Sequence, residues 1–544
     1  MQPLDIFKIQ NLLVNAFTMA IEPFGIQEVA VNIEKPKEKT HGDFSCPVAM
    51  LLAKKLKKQP LLIAHEIVKN LKLDPGFITN VEVAAPGFIN LKLHPQAFYQ
   101  TLQRTLEENE AYGKNDQGKG EKILLEFVSA NPTGPLNIVS ARAAALGESI
   151  ANLLLVSGTD VSREYYVNDA GVQARLFGQS LIAACNRING KDTPAPEGGY
   201  QGAYMDDLAK DYVKVSPAPD PGEWGMNQVL QWQKESLLRY DVHFDNWYSE
   251  KKLLHDTGLV KETVEQLKKM NLTYEKDGAL WIKVSEFGAP KDEVLVKSDG
   301  YPAYFAADIA YHIQKFKRGF HKIVDIWGPD HHGHIIRMKA ALQAAGYPHE
   351  QFSVIIAQQV NLLEEGEKVK MSKREGKFVT MNELLDQVGK DAARFFFVMR
   401  SANTHLDFDI EVAKKQTEEN PVFYIQYAHA RICSLLKKCA DNNLQPSTKA
   451  VDFESLQDAE SFLLLKEIME YPQWVLESGK ALEPHRLVIY LQSLAANFHL
   501  FYAKQRILDA PAHVARARLA LALGVKTVIR NALGLLGVSA PDQM

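Results

Sequence analysis

Lys122-Ile-Leu-Leu-Glu-Phe-Val128, Asn131-Pro-Thr-Gly-Pro135 and Ser140-Ala-Arg-Ala-Ala-Ala-Leu-Gly147 follow one another as an apolar run of strand length, an irregular turn and a helix of small residues. The first run, broken only by Glu126, fits a parallel strand covered on both faces. Two prolines and a glycine keep the turn from being regular, and Ser140 is the predicted N-cap of the helix. In open α/β sheets ligands sit beyond the carboxyl ends of the strands, where the next helix offers unpaired N–H groups and the positive end of its dipole to a phosphate. The stretch has the shape of a nucleotide site, although strand, turn and helix alone also describe an ordinary βα unit.

Outward from that stretch the strand–helix alternation continues. Gly158 closes the helix, and Val161-Ser-Arg-Glu-Tyr-Tyr-Val-Asn-Asp-Ala-Gly171 is extended, as a doubly wound sheet requires. The span from Asn189 to Glu223, rich in Gly, Pro and Asp, reads as a surface insertion. Helices around Gln228–Tyr240 and Leu254–Lys269 and a strand over Gly278–Val284 then interrupt the sheet. Tyr304-Phe-Ala-Ala-Asp-Ile-Ala-Tyr311 opens a helix on which Tyr304 and Asp308, four apart, share a face. In so apolar a helix Asp308 either faces water or meets a cation. Lys322-Ile-Val-Asp-Ile-Trp327 is a further apolar strand, ending in Gly328-Pro-Asp-His-His-Gly-His334. The spacing of His331, His332 and His334 matches no common metal-ligand pattern, so no bound metal is expected and the histidines read as a donor-rich wall for a ribose.

A second strong signal is Val369-Lys-Met-Ser-Lys-Arg-Glu-Gly-Lys377, in which two lysines three apart flank a small hydroxyl. Such a cationic loop suits a polyphosphate. Alone it is a solvated charge run; with the turn and helix above, it completes a phosphate site. No Gly-x-x-x-x-Gly-Lys-Ser/Thr run is present, which argues against a P-loop nucleotide hydrolase.

The flanking regions bound the architecture. At 544 residues the chain is too long for a single core and should hold two to four domains. Residues 1–112 read as a small α+β domain, with a helix through Ile6–Phe17, strands at Val29–Ile33 and Val81–Leu93, and a turn at Pro86-Gly87. His41-Gly-Asp-Phe-Ser-Cys46 reads as a turn leading into a helix whose end carries Lys54, Lys55, Lys57 and Lys58, a solvated terminus or a contact for a phosphate backbone. Residues 411–544 are helical throughout by their apolar spacing. Within them Tyr490, Phe498, Tyr502, Lys504 and Arg506 are candidates for stacking and pairing with single-stranded bases. A net charge of −4 and a pI near 6.5 exclude bulk wrapping of nucleic acid but not a local basic face. Four scattered cysteines make neither a disulfide framework nor a zinc knuckle. No apolar run approaches a membrane span and Met1-Gln-Pro-Leu-Asp-Ile lacks a secretory pattern, so a cytoplasmic protein with no membrane partner is expected.

Lys370-Met-Ser-Lys373 resembles the second signature of class I aminoacyl-tRNA synthetases, and Glu126-Phe-Val-Ser-Ala-Asn-Pro-Thr-Gly-Pro-Leu136 the approach to their first. Arg163–Gly171, Leu295–Gly300, Asp308–Tyr311, Tyr427–Arg431 and Leu482–Arg486 narrow the resemblance to bacterial arginyl-tRNA synthetases, along essentially the whole chain. The resemblance implies a multidomain α/β protein: an N-terminal α+β domain touching tRNA (1–112), a Rossmann-like parallel-sheet catalytic domain with insertions and the Lys-Met-Ser-Lys loop (113–410), and an all-α anticodon-binding bundle (411–544). It implies arginine, ATP with Mg2+ and tRNA(Arg) as substrates of a monomer. Glu126, Asn131, Tyr304 and Asp308 would hold the amino acid. Pro135, Gly328, Asp330, His334, Met371 and Ser372 would line the ATP site, and Lys370 and Lys373 would neutralise its phosphates. Where the family signature reads His-x-Gly-His, this chain has Asn137-Ile-Val-Ser140, so Asn137 and Ser140 would be the donors to ATP and Val139 would stand where glycine gave room. The competing class is a tRNA-binding or regulatory paralogue that kept the fold and lost the chemistry.

Overall fold

The computed structural model describes residues 6–26, 29–36, 38, 41–369, 379–444 and 452–544. Five strands, β1 (Lys122–Glu126), β2 (Asp160–Val167), β3 (Asn246–Ser249), β4 (Lys322–Trp327) and β5 (Phe352–Ile356), form a wholly parallel sheet in the order β5-β4-β1-β2-β3. The chain starts at the centre, lays β2 and β3 to one side, then returns to place β4 and β5 on the other. The order therefore reverses between β1 and β4, and such a switch point is where open parallel sheets form a ligand crevice beyond the carboxyl ends of their strands.

Helix α1 (Ile138–Val156) connects β1 to β2 and is buried along nearly its whole length. Its N-cap is Asn137, three residues before the predicted Ser140: the Asn137 Oδ1 accepts from the N–H groups of Val139 and Ser140, both at 3.0 Å. Proline at 135 keeps the turn extended, and Asn137 is the first side chain short enough to cap. Contrary to the expectation that no run approaches a membrane span, α1 is long and apolar enough to cross one by composition; most of it is packed inside the protein. Gly147 lies where α1 crosses β1, and a Cβ there would come 2.2 Å from the ring of Phe127. Gly147→Ala is expected to destabilise by about 1–3 kcal/mol through overpacking, measured by urea unfolding.

Between β2 and β3 the chain builds α2 (Gly171–Ile188), α3 (Ala203–Tyr212) and α4 (Pro221–Arg239) around their own apolar core. The predicted surface insertion at 189–223 thus contains a packed helix, because Met205, Leu208, Ala209 and Tyr212 recur at helical spacing within a polar composition. After β3 a small antiparallel sheet, which includes the predicted strand as Ala279–Ile282, precedes α5 (Tyr304–Lys317). Helix α6 (His332–Ala344) joins β4 to β5, and α7 (Met381–Val398) follows.

The N-terminal region pairs Phe44–Cys46, Phe88–Leu93 and Ile78–Ala84 in one antiparallel sheet against helices that include Ile6–Ile21 and Val48–Leu56. Two expectations fail here. Val29–Ile33 forms no strand, and only Glu34 beyond it bridges to Ser45. His41–Cys46, expected to be a turn leading into a helix, ends instead in the buried strand Phe44–Cys46, which pairs with Phe88–Leu93, and the helix starts only at Val48. The C-terminal helices α8 (Pro421–Asp441), α9 (Ala459–Ala481), α10 (His485–Lys504) and α11 (Ala512–Leu535) share one continuous core with the N-terminal region and the face of the sheet carrying α1.

Candidate active site

The crevice beyond β1 and β4 is framed by a row of acids. Register places Asp325 of β4, Glu126 of β1 and Glu164 of β2 side by side on adjacent strands, all three buried. Strands lie about 4.8 Å apart, and like charges set directly opposite destabilise a sheet. Helix α5 supplies the counter-charges. Lys315 Nζ lies 2.6 Å from Glu126 Oε2 and 2.9 Å from Asp325 Oδ1, and Arg318 holds both oxygens of Glu164 at 2.5 and 2.8 Å. His312 joins Asp325 Oδ2 at 2.8 Å, and Tyr311 places its hydroxyl between Glu126 and Glu164. Burial pushes the Glu126 carboxyl up despite Lys315. Burial works in the same direction on Glu164, but the Arg318 hydrogen bonds and the Lys315 charge outweigh it and hold Glu164 below the usual range.

After β1 the backbone is strained. Val128 and Ser129 take φ of 69° and 40°, a left-handed conformation that costs a β-branched residue of order 1–3 kcal/mol. The loop that follows is fixed from α4: buried Gln233 donates to the carbonyls of Asn131 at 3.0 Å and Gly134 at 2.9 Å. Ser129 donates to Glu126 Oε1 at 2.9 Å, and the Asn131 amide donates to Gln173 at 2.6 Å.

On the other side of the crevice, Asp308 projects from the first turns of α5 with its side chain 40% exposed and meets His334 Nε2 at 3.2 Å. Of the two readings of Asp308, the one in which it faces water holds: the carboxylate is half open to solvent and its neighbour is an imidazole. Tyr304, one turn earlier, is largely exposed. His334 packs edge-on against Phe305 and beside Trp327, whereas Gly328 and Asp330 lie where β4 leads into α6. Burial pushes the Tyr166 hydroxyl far up, and the charges of Glu250, Asp308 and Glu126 push it in the same direction. Glu250 was missed in the sequence because it follows the short strand β3 in a polar stretch.

Asn137 and Ser140 sit at the mouth of α1. The Asn137 Oδ1 is committed to capping and also receives the Ser140 hydroxyl at 3.3 Å, leaving the Asn137 amide protons as outward donors. Val139 is half-buried against the main core. Pro135 is half-buried in the same turn. Lys370, Met371, Ser372 and Lys373 lie outside the described residues. The described residues flanking them are anchored: Val369 N bonds to Leu362 O, Asn137 bridges Thr380, and Met381 N bonds to Leu136 O at 2.8 Å.

The arrangement is a row of buried acids beside a helix N-terminus at a sheet switch point. Three family models match in succession: "Arginyl tRNA synthetase N terminal domain" over residues 8–93, "tRNA synthetases class I (R), catalytic domain" over 229–427 and "DALR anticodon binding domain" over 425–544. An arginine–tRNA ligase of Desulforamulus reducens is 44% identical over 526 residues, covering 94% of both chains. This chain belongs to the arginyl-tRNA synthetase family. The arginine–tRNA ligase of Moorella thermoacetica is likewise 44% identical over 524 residues, covering 94% of this chain and 93% of its own. Among solved structures of the family, a putative arginyl-tRNA synthetase of Campylobacter jejuni superposes with a TM-score of 0.77 at 35% identity, over 83% of this chain and 100% of that one. The Thermus thermophilus arginyl-tRNA synthetase shares the fold at a TM-score of 0.79 and 23% identity, over 98% of this chain.

In this synthetase-family bundle the sequence-based surface needs correction. Tyr490 and Phe498 are 2% and 0% exposed and belong to the core, because their helical spacing is that of the buried face of α10. Lys504 pairs with Glu460, and Arg506 is exposed. Tyr502 of the predicted set does join an aromatic–cationic group with α8, where half-buried Arg431 stands 4.6 Å from the ring centre of exposed Tyr427 and 5.0 Å from that of Tyr502.

Proposed function

We propose that this chain is an arginine–tRNA ligase. It activates arginine with ATP to arginyl-adenylate, releasing diphosphate, and transfers the arginyl group to the 3′-terminal ribose of tRNA(Arg). What supports this reading is the row of buried carboxylates that includes Glu126 at the strand-order reversal, together with half-exposed Asp308 of α5, whose charge and that of Glu126 both bear on Tyr166. A guanidinium is planar and always charged, so carboxylates set on two sides select it over an ammonium. Glu126, Asn131, Tyr304 and Asp308 hold arginine, while Pro135, Gly328, Asp330, His334, Met371 and Ser372 line the ATP site. Lys370 and Lys373 neutralise the phosphates as the arginine carboxylate attacks the α-phosphorus, and Asn137 and Ser140 stand in for the signature histidines. Mg2+ arrives with ATP as part of the substrate. The working divisions are 1–112, 113–410 and 411–544 in a cytoplasmic monomer. Near full-length identity to arginine ligases disfavours a paralogue without chemistry.

The test is aminoacylation by the purified chain with arginine, ATP and tRNA(Arg), with lysine as the control amino acid. Arginine charging is expected and lysine charging is not. Asp308→Ala is expected to raise the KM for arginine about tenfold to a hundredfold, less than a fully buried ion pair would, because the carboxylate is 40% exposed. An unchanged arginine requirement removes Asp308 from the pocket.

A further inference from the structure

A continuous file of polar atoms runs between α5 and strands β4, β1 and β2. The Asp308 carbonyl is 2.7 Å from His312 Nδ1, and His312 Nε2 is 2.8 Å from Asp325 Oδ2. Lys315 then links Asp325 Oδ1 to Glu126 Oε2, and the Tyr311 oxygen stands 2.9 Å from Glu126 Oε2 and 2.7 Å from Glu164 Oε1. A phenol has one proton, so it can donate to only one of those two carboxylates.

Glu164 has the stronger claim to stay ionised. Arg318 donates to both its oxygens and Asn246 donates to Oε2 at 2.5 Å. The Tyr311 proton therefore goes to Glu164, and the 2.9 Å contact with Glu126 sets oxygen against oxygen unless a second proton lies between them. Lys315 does not supply it. Its ammonium is shared between Glu126 and Asp325 and faces the Tyr311 ring, 4.3 Å from the centroid. The groups facing Glu126 are Tyr311, His312 and Lys315 from α5, Glu164 and Tyr166 from β2, Asp325 from β4 and Ser129 from the loop, with Asp308 and Glu250 beyond Tyr166. Carboxylates outnumber the cations among them.

We infer that in the empty pocket Glu126 is protonated and donates to the Tyr311 oxygen, and that arginine enters in exchange for this proton, so that Tyr311 and Lys315 act as positioning residues for a cation-for-proton swap. The inference rests on Glu126 being an arginine-binding residue. Burial, which already pushes the Glu126 carboxyl up, works in the same direction. The O–H bond of Glu126 breaks, the proton leaves to solvent, and the carboxylate meets the guanidinium, so the net charge of the site does not change.

The experiment is calorimetric titration of the full chain with arginine at about pH 6, in buffers of different ionisation enthalpy. A slope corresponding to about 0.5–1 proton released per arginine is expected. The same titration on Tyr311→Phe, which removes the oxygen that receives the Glu126 proton, should show the slope at least halved while arginine still binds. A zero slope between about pH 5.5 and 7.5 overturns the exchange. A slope unchanged in Tyr311→Phe also overturns it, since the proton then comes from elsewhere than the Glu126–Tyr311 contact. Wild-type arginine affinity in both Glu126→Gln and Asp308→Ala would instead refute the pocket assignment, and the exchange with it.

Discussion

Lys315→Met is expected to destabilise the protein by about 3–5 kcal/mol, the loss that follows when one partner of a buried ion pair is removed and the other is left in place. Lys315 is fully buried and bonds to Glu126 at 2.6 Å and Asp325 at 2.9 Å, both themselves buried. Opposing carboxylates raise its pKa against the lowering effect of burial, so it is charged throughout the working range. Methionine keeps the length and apolar bulk of the side chain, so the effect reads out charge. Urea unfolding followed by fluorescence measures it, with exposed Lys317→Met as a control expected within about 0.5 kcal/mol of wild type. Adding Asp325→Asn to Lys315→Met should recover most of the loss, since Asp325 is the ionised carboxylate that Lys315 neutralises in the arginine-free protein. If the double variant is no more stable than the single one, Lys315 contributes through packing alone.

The same row of charges shows what a sequence can and cannot deliver. Glu126 and Asp325 each interrupt an apolar strand and Glu164 sits in an extended one, so their presence in a parallel sheet is legible from pattern. Their alignment in one register across β4, β1 and β2 is not, because strand order and register arise from pairings between residues far apart in the chain. The partner lysine was illegible for the same reason: Lys315 is one of several cations at the end of α5, and only the packing of α5 over the sheet turns it inward. Asp308 was legible because it shares a helix face with Tyr304; its contact with His334, across two elements, was not. Local competition explains the misplaced cap. Asn137 and Ser140 both have capping side chains, and the prolines upstream let the earlier one win. Helical spacing in the C-terminal bundle gave amphipathic helices and put Tyr490 and Phe498 on their apolar face, where they are buried; aromatic type alone had also made them candidates for stacking on bases, which burial rules out.

Lys373→Ala is expected to lower kcat for arginylation by about 10²–10³, the effect typical of removing one preorganised stabiliser of transition-state charge, with tRNA affinity nearly unchanged. The expectation is at the high end because the donors at the mouth of α1 are depleted. The Asn137 Oδ1 caps two backbone N–H groups and receives the Ser140 hydroxyl, so neither side chain is a free, ionisable donor of the kind histidine provides. On the proposed reading, charge developing on the phosphates would then be met by the helix N-terminus, the remaining Asn137 amide protons and the loop lysines. The chain after the loop returns beside that helix terminus. Thr380 bridges to Asn137 and closes a capping box with Glu383 that fixes the start of α7. Single-turnover arginylation with saturating ATP and tRNA separates this loss from weaker binding, and filter binding of tRNA supplies the control. If the variant keeps kcat and only raises the KM for ATP, Lys373 binds the ground state and the burden lies on the α1 terminus. Asn137→Ala would then give the larger fall, through loss of both the cap and the donor.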